Sequence, residues 1–355
     1  MTDLFIKVKI HQEQQLPFVL FCKPNSDTII GLFQKNDHLY FLDTFDEKGF
    51  VFAPFDSEQI PYIPLEHSDI YFEKTNESDY IVTSHMHQKS DLIGNDFFEE
   101  IVTKAIRSIN EDIFLKVVLS RKESVVIPEF DIALSLKRAI SCYPNAFKYC
   151  FFHPKVGMWF GATPEQLIKV NKNAIMTVAL AGTQLVSKTE TVVWGEKEKK
   201  EQQLVTNYIT ANIQDLTKEL KVSNPYSFKA GDLWHIKTDI FALLKSKKYL
   251  KKLIFALHPT PAVCGLPKAK ALEFIMQNEG YNREYYSGYL GELNIDFSTF
   301  KMDQTDLYVN LRCMKINKNK SFIYVGCGIT TKSNPKEEYI ETVNKAMTMK
   351  KILNL

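Results

Sequence analysis

The sequence predicts an α+β fold. Strand-like runs follow one another in quick succession (KYCFFHP, GMWFGA, QLIKV, AIMTVAL), which argues an antiparallel sheet, while apolar residues at helical spacing over 97–110, 131–143 and 197–220 supply the helices. Composition agrees with a large core: the 355 residues are 45% hydrophobic and 24% charged. The 44 basic and 42 acidic residues are mixed along the chain and leave a formal charge of only +2, so no polyanion-binding signature is present and nucleic acid is not expected as a partner. Six scattered cysteines with no C-x-x-C suit a reducing compartment, and neither a leader-like start nor an apolar run of about 18 residues appears, so the expectation is a cytoplasmic protein with no membrane partner. Monomer is the default for its assembly.

Taken in order, residues 1–94 read as a strand-rich part, with FVLFCK, IIGLFQ, HLYFLDTF and DIYFEK separated by turn residues such as Pro24-Asn25-Ser26-Asp27. A polar connection follows over 74–97, and the region 95–355 then mixes helices with strands. KVVLSR opens a strand or hairpin over 116–127. WFGATPEQL (159–167) places Glu165 at a strand end, where alone it suits a first-turn acid complementing a helix dipole. ALAGT (179–183) is a small-residue turn that lets a ligand approach the backbone. The helix beginning in GEKEKKEQQLV (195–205) has an apolar stripe through Val205, Tyr208, Ile209, Asn212, Ile213, Leu216 and Leu220. Projected backwards, that stripe runs through Glu198 and Glu201, so two acids face inward while Lys199, Lys200 and Gln203 face water. The three prolines of LHPTPAVCGLP fix a loop, and Ser333-Asn334-Pro335 starts a helix that carries Glu338, Glu341 and Lys345 on one face.

In order and wording, the motifs KVVLSR, FGATPEQL, ALAGT, KEKKEQQLV, DLWHIKT, LHPTPAVCGLPK, REYYSGYLG, LYVNLRC and GCGITTKSNPKEEYIETVNK resemble the chorismate-utilising enzymes, most closely the isochorismate synthases. The resemblance spans roughly residues 95–355. It implies the fold of anthranilate synthase component I, two large antiparallel sheets packed around a central site with helices outside, with residues 1–94 part of that fold. It also implies chorismate as substrate and Mg²⁺ as cofactor, for a reaction that moves the C4 hydroxyl to C2. By position, Lys116 would be the general base and Glu165 the general acid, while Glu201 and Glu341 would hold the metal, with Glu198 and Glu338 as their companions. Arg312 and Tyr286 would grip the enolpyruvyl carboxylate. Gly182, Thr183, His235, Ala262, Gly326, Gly328 and Lys345 would complete the substrate pocket.

One departure from the family pattern is Gln202, where a histidine is usual beside the metal-ligand acid. Anthranilate and aminodeoxychorismate synthases lack a lysine at the Lys116 position, and the latter have a nucleophilic lysine where this chain has Ala181. Salicylate synthases share Lys116 and Glu165, but their loop has threonine where this chain has Ala262, which favours isomerisation without pyruvate elimination. A non-catalytic chorismate-binding protein is the alternative of another class, and the retained acids and lysine argue against it.

Overall fold

The computed structural model describes residues 2–75, 96–185, 192–230 and 233–355. In chain order its elements begin α1 (Asp3–Glu13), β1 (Phe18–Cys22), β2 (Thr28–Gln34), β3 (Tyr40–Phe41), β4 (Gly49–Ala53), β5 (Pro61–Pro64), β6 (Ser68–Lys74), α2 (Asp96–Asn110), β7 (Lys116–Val126), α3 (Ile132–Cys142), β8 (Phe147–His153), β9 (Gly157–Thr163), β10 (Gln166–Asn171), β11 (Ala174–Leu185) and α4 (Glu196–Ile213). They continue with β12 (Thr217–Val222), β13 (Tyr226–Ala230), β14 (Leu233–Leu244), α5 (Leu250–Leu257), β15 (Gly265–Leu266), α6 (Lys268–Asn278), β16 (Tyr289–Leu293), β17 (Ile295–Asp296), β18 (Lys301–Met302), β19 (Gln304–Val309), β20 (Cys313–Asn317), β21 (Lys320–Ile329) and α7 (Pro335–Leu353).

Two large sheets dominate. The nine-stranded sheet runs β15-β7-β21-β20-β9-β8-β1-β2-β6, and the ten-stranded one runs β12-β14-β11-β10-β19-β16-β4-β5-β3 with β13 on β14. Strands from the first 75 residues enter both sheets: β1, β2 and β6 join one, β3, β4 and β5 the other. Alternation explains how the sheets stack. Odd residues of β1 such as Val19 and Phe21 meet Phe50, Phe52, Leu290 and Tyr308 of the other sheet, with Phe52 stacked on Phe151 at 4.3 Å and on Tyr285 at 4.5 Å. Even residues of the same strand, Phe18 and Leu20, face outward beneath α1, α3 and α7. The ten-stranded sheet is covered on its outer face by Val205, Ile209 and Ile213 of α4 and by Leu253 and Leu257 of α5, and β7 with β21 is covered by α2 and α6. The expected arrangement of two antiparallel sheets with helices outside is therefore present.

Three local expectations are corrected. The helix projected over 197–220 ends at Ile213, and the chain passes through a single 3₁₀ turn into β12, which pairs with β14 from Thr217 to Val222. Pairing at the sheet edge outweighs helix propensity there, and the Thr217 hydroxyl bonds back to the Ile213 carbonyl at 3.1 Å, closing the helix end. Asn212, placed in the apolar stripe, is exposed and donates to the Tyr208 carbonyl at 2.7 Å. Residues 3–13, which the strand-rich reading passed over, form α1, whose Leu4, Phe5 and Val8 are buried. Most of the polar connection read over 74–97 lies outside the described residues.

Candidate functional site

The site is built where three kinds of ends converge: the start of β7, the end of β21, and the first turns of α4 and α7. Lys116 is the first residue of β7, as its motif predicts, and lies beside the close of β21, where Val118 and Gly328 are register partners. A Cβ at Gly328 would sit 3.0 Å from the Lys116 Cε and 3.5 Å from its Nζ, so the bare backbone there makes room for the lysine. At Gly326 an added Cβ would lie 2.9 Å from the Tyr286 hydroxyl, which places that phenol against the same strand.

The inward acids of α4 behave as the stripe predicted. Glu201 receives Lys116 Nζ at 3.2 Å, and both side chains are about three-quarters or more buried. Glu198 packs on Gly182, whose φ of +71° marks the irregularity where β11 shifts register against β14 between Ala181 and Thr183. The Thr183 side chain lies outside the described residues. His235, opposite Thr183 on β14, bonds the Gly182 backbone, and burial holds its imidazole below the ordinary histidine value. Gln202 is buried and donates to Thr206 at 2.9 Å and Thr238 at 2.5 Å, tying α4 to β14 in the position where the family has histidine.

Across from α4, the Asn334 side chain caps α7 by accepting from Lys336 N and Glu337 N, and Pro335 opens the helix. Lys345 Nζ bridges Glu341 at 2.6 Å and the Gly326 carbonyl at 2.9 Å. Burial, together with the neighbouring Glu341 charge, pushes the Glu338 carboxyl up, against bonds from Ser333 and Cys327.

Glu165 stands in the short connection between β9 and β10, and no helix follows it, so its reading as a dipole-complementing acid is wrong. Its backbone is fixed by Val309 N donating to its carbonyl and by its own N–H bonding Thr163 Oγ1. Burial pushes its carboxyl above the ordinary value, although the charges of Arg312, Lys116 and Lys345 pull the other way. The charges of all three cations are therefore felt at this partly buried acid. Arg312 has φ +47°, a left-handed conformation in a non-glycine residue, and its side chain makes no hydrogen bond or ion pair among the described residues. Ala262 and Glu165 share the wall of a cavity of about 170 Å³ whose lining mixes Leu167, Val178 and Val205 with Thr177, Lys237 and Thr260.

The structure thus draws Lys116, Glu165, Glu201, Arg312 and Lys345 into one neighbourhood, and Glu338, Glu341, His235, Tyr286 and the three glycines line its edges. It does not gather the four expected metal-binding acids: among the described residues no three Asp, Glu, His or Cys side chains form a cation-sized cluster. Each acidic pair instead spends one carboxylate on a lysine, Glu201 on Lys116 and Glu341 on Lys345. The donor chemistry still suits a hard cation, since the acids on α4 and on α7 offer carboxylate oxygens.

A family model described as "Chorismate binding enzyme" matches residues 62–354. The chain belongs to the chorismate-binding enzymes. Within that family it is 30% identical over 269 residues to isochorismate synthase MenF of Escherichia coli, covering 72% of this chain and 60% of that one. It is 27% identical over 266 residues to the salicylate biosynthesis isochorismate synthase of Pseudomonas aeruginosa, covering 72% of this chain and 54% of that one. The chain therefore spans between half and two thirds of the length of these relatives. A solved structure of the Escherichia coli MenF superposes with a TM-score of 0.77 at 21% identity over 95% of this chain and 88% of the other. Anthranilate synthase component I of Streptococcus pneumoniae superposes with a TM-score of 0.68 at 16% identity over 95% and 92% of the two chains. These likenesses confirm the expected fold. No described helix is long and apolar enough to cross a membrane.

One pair of charged residues escaped the sequence reading. Glu279 and Arg283 are both 3% exposed and form an ion pair that bonds Val118 and Ser120 of β7. The i, i+4 spacing of opposite charges just ahead of the tyrosines of REYYSG is the signal that could have found them.

Proposed function

We propose that the chain isomerises chorismate to isochorismate. What supports this reading most is that Lys116, packed on Gly328 and paired with Glu201, and Lys345, bonded to Glu341 and the Gly326 carbonyl, meet at the end of β21, with their charges felt at Glu165, an acid that burial biases toward keeping its proton. The reaction needs that combination. A water oxygen bonds to C2 as its proton passes to a base, the two ring double bonds shift, and the C4–O bond breaks with its electron pair and a proton from an acid, so water enters and water leaves.

In this scheme Lys116 takes the proton of the entering water. Its Nζ lies 3.2 Å from a Glu201 oxygen, and only the neutral amine, turned from that carboxylate, can offer its lone pair to the entering water. Glu165 gives its proton to the departing hydroxyl, its own burial favouring the protonated form until then. Arg312, with no partner of its own among the described residues, presents a planar fork to the enolpyruvyl carboxylate, and the Tyr286 hydroxyl adds a second donor beside Gly326. Glu201 and Glu341 would hold Mg²⁺, which when bound would supply positive charge for the ring carboxylate. Glu198 and Glu338 would steady its water shell. A soluble cytoplasmic monomer is the setting proposed for this activity.

Purified protein incubated with chorismate and Mg²⁺ should yield isochorismate, identified by chromatographic separation of the products. Salicylate with pyruvate would replace this reading with that of a synthase that also eliminates pyruvate. Binding of chorismate without any product would make the chain a chorismate-binding protein.

A further inference from the structure

We infer that Glu279 and Arg283 are positioning residues for the chemistry at Lys116, acting as a side-chain substitute for a missing strand. The inference rests on the proposed isomerisation only for its kinetic readout. The strand β7 has β21 on one side, but on the other its partner β15 is just two residues long, with Gly265 opposite Val117 and Leu266 opposite Lys116. The last backbone bond of this edge runs from Val118 N to the Cys264 carbonyl at 2.8 Å. Beyond it, the edge of β7 would present buried, unsatisfied backbone groups. The ion pair takes over there. Arg283 Nη2 donates to the Val118 carbonyl at 2.7 Å, and the Glu279 carboxylate accepts from Ser120 N at 2.7 Å and from Ser120 Oγ at 2.9 Å.

The same guanidinium reaches the other wall of the site. Its Nη1 donates to the carbonyl of Val263, the residue after Ala262, at 2.9 Å, and its Cζ lies 4.4 Å from the Phe55 ring centroid and 5.9 Å from that of Tyr286. Arg283 Nε also bonds Glu279 Oε2 at 2.8 Å, closing the pair on itself. One rigid fork thus spaces the strand of Lys116, the loop of Ala262 and the ring of Tyr286. A fully buried ion pair is a poor source of stability, since a hydrophobic pair of similar volume often serves the fold as well or better. Its value here is geometric: small displacements of a reacting group cost large factors in rate.

The test compares wild type, Arg283→Lys and the paired replacement Glu279→Leu/Arg283→Met, chosen because removing both charges avoids stranding one of them. The double variant strands no charge but leaves the Val118 and Val263 carbonyls and the Ser120 N–H without their partners, so its thermal midpoint should fall; at temperatures where it is fully folded its kcat should still be about 100-fold lower than wild type, with a much smaller change in KM. Arg283→Lys, which keeps the charge but not the fork, should fall between the two. Independently of turnover, the Ser120 amide should be protected from hydrogen exchange in wild type and exchange readily in the double variant. A double variant with wild-type kcat, a kcat loss that merely follows the unfolded fraction, or equal exchange at Ser120 in both proteins would each overturn the inference. If wild type converts no chorismate, the proposed reaction fails, while the exchange measurement still decides whether the clamp exists.

Discussion

Replacing Lys116 with alanine should leave the fold intact, because among the described residues its amine bonds Glu201 alone, but should lower turnover by about 10²- to 10⁴-fold; unchanged product formation would remove Lys116 from the mechanism. Gly328→Ala tests the same amine from outside. The new methyl would press on the Lys116 Cε at 3.0 Å, so activity should drop while the circular-dichroism spectrum stays that of wild type. Glu165 predicts a pH dependence. Burial raises its carboxyl above the ordinary value, so the proton needed for the leaving hydroxyl persists to higher pH, and kcat should decline as pH rises through that raised value. Linkage has the same sign: the stability contributed by the bound proton is complete below the unfolded value of about 4.3 and is lost as pH rises through the folded one. Glu165→Gln should abolish the kinetic limb in a pH–rate profile. At this scale the sequence was informative about identity and silent about pairing. The helical stripe placed Glu198 and Glu201 inward, whereas only the fold showed that Glu201 meets Lys116.

The elements carry the site through their ends. The α4 helix is legible from its spacing, but its end was not, because the residues that follow Ile213 are claimed by an edge strand whose partner, β14, lies more than ten positions away in sequence. Gln202 shows the consequence for function. It lies between the acids and the core, bonding Thr206 and Thr238, and Gln202→Leu would leave both threonine hydroxyls without their amide partner at a cost of about 1–3 kcal/mol. Denaturant unfolding should show the loss, and an unchanged midpoint would mean that water replaces the amide. Gly182 is the corresponding hinge on β11. A side chain there must adopt φ +71° and would crowd the Glu198 Cβ at 3.2 Å, so Gly182→Ala should destabilise by about 1–2 kcal/mol and weaken any cation binding that uses Glu198 and Glu201. Magnesium titration followed by calorimetry reads the second effect.

At the scale of the molecule, the first 75 residues are built into the sandwich on both sides, three strands in each sheet, and Val19, Phe21, Phe50 and Phe52 form part of the core between them. A chain lacking residues 2–75 should therefore fail to form a protease-resistant body. Survival of a folded 96–355 fragment in limited proteolysis would show that the strand-rich part is dispensable.

The sequence by itself determined the α+β class, the family and the identity of the acids, lysine and arginine at the site. These follow from local spacing and from side-chain chemistry written in short, ordered motifs. Only the tertiary structure decided what those groups meet. It pairs Lys116 with Glu201, brings the charges of three cations to bear on Glu165, and completes the open edge of β7 with Glu279 and Arg283. Each of these contacts joins segments separated by tens to hundreds of residues, and their distances are set by how two twisted sheets and their covering helices pack, which no periodicity along the chain encodes.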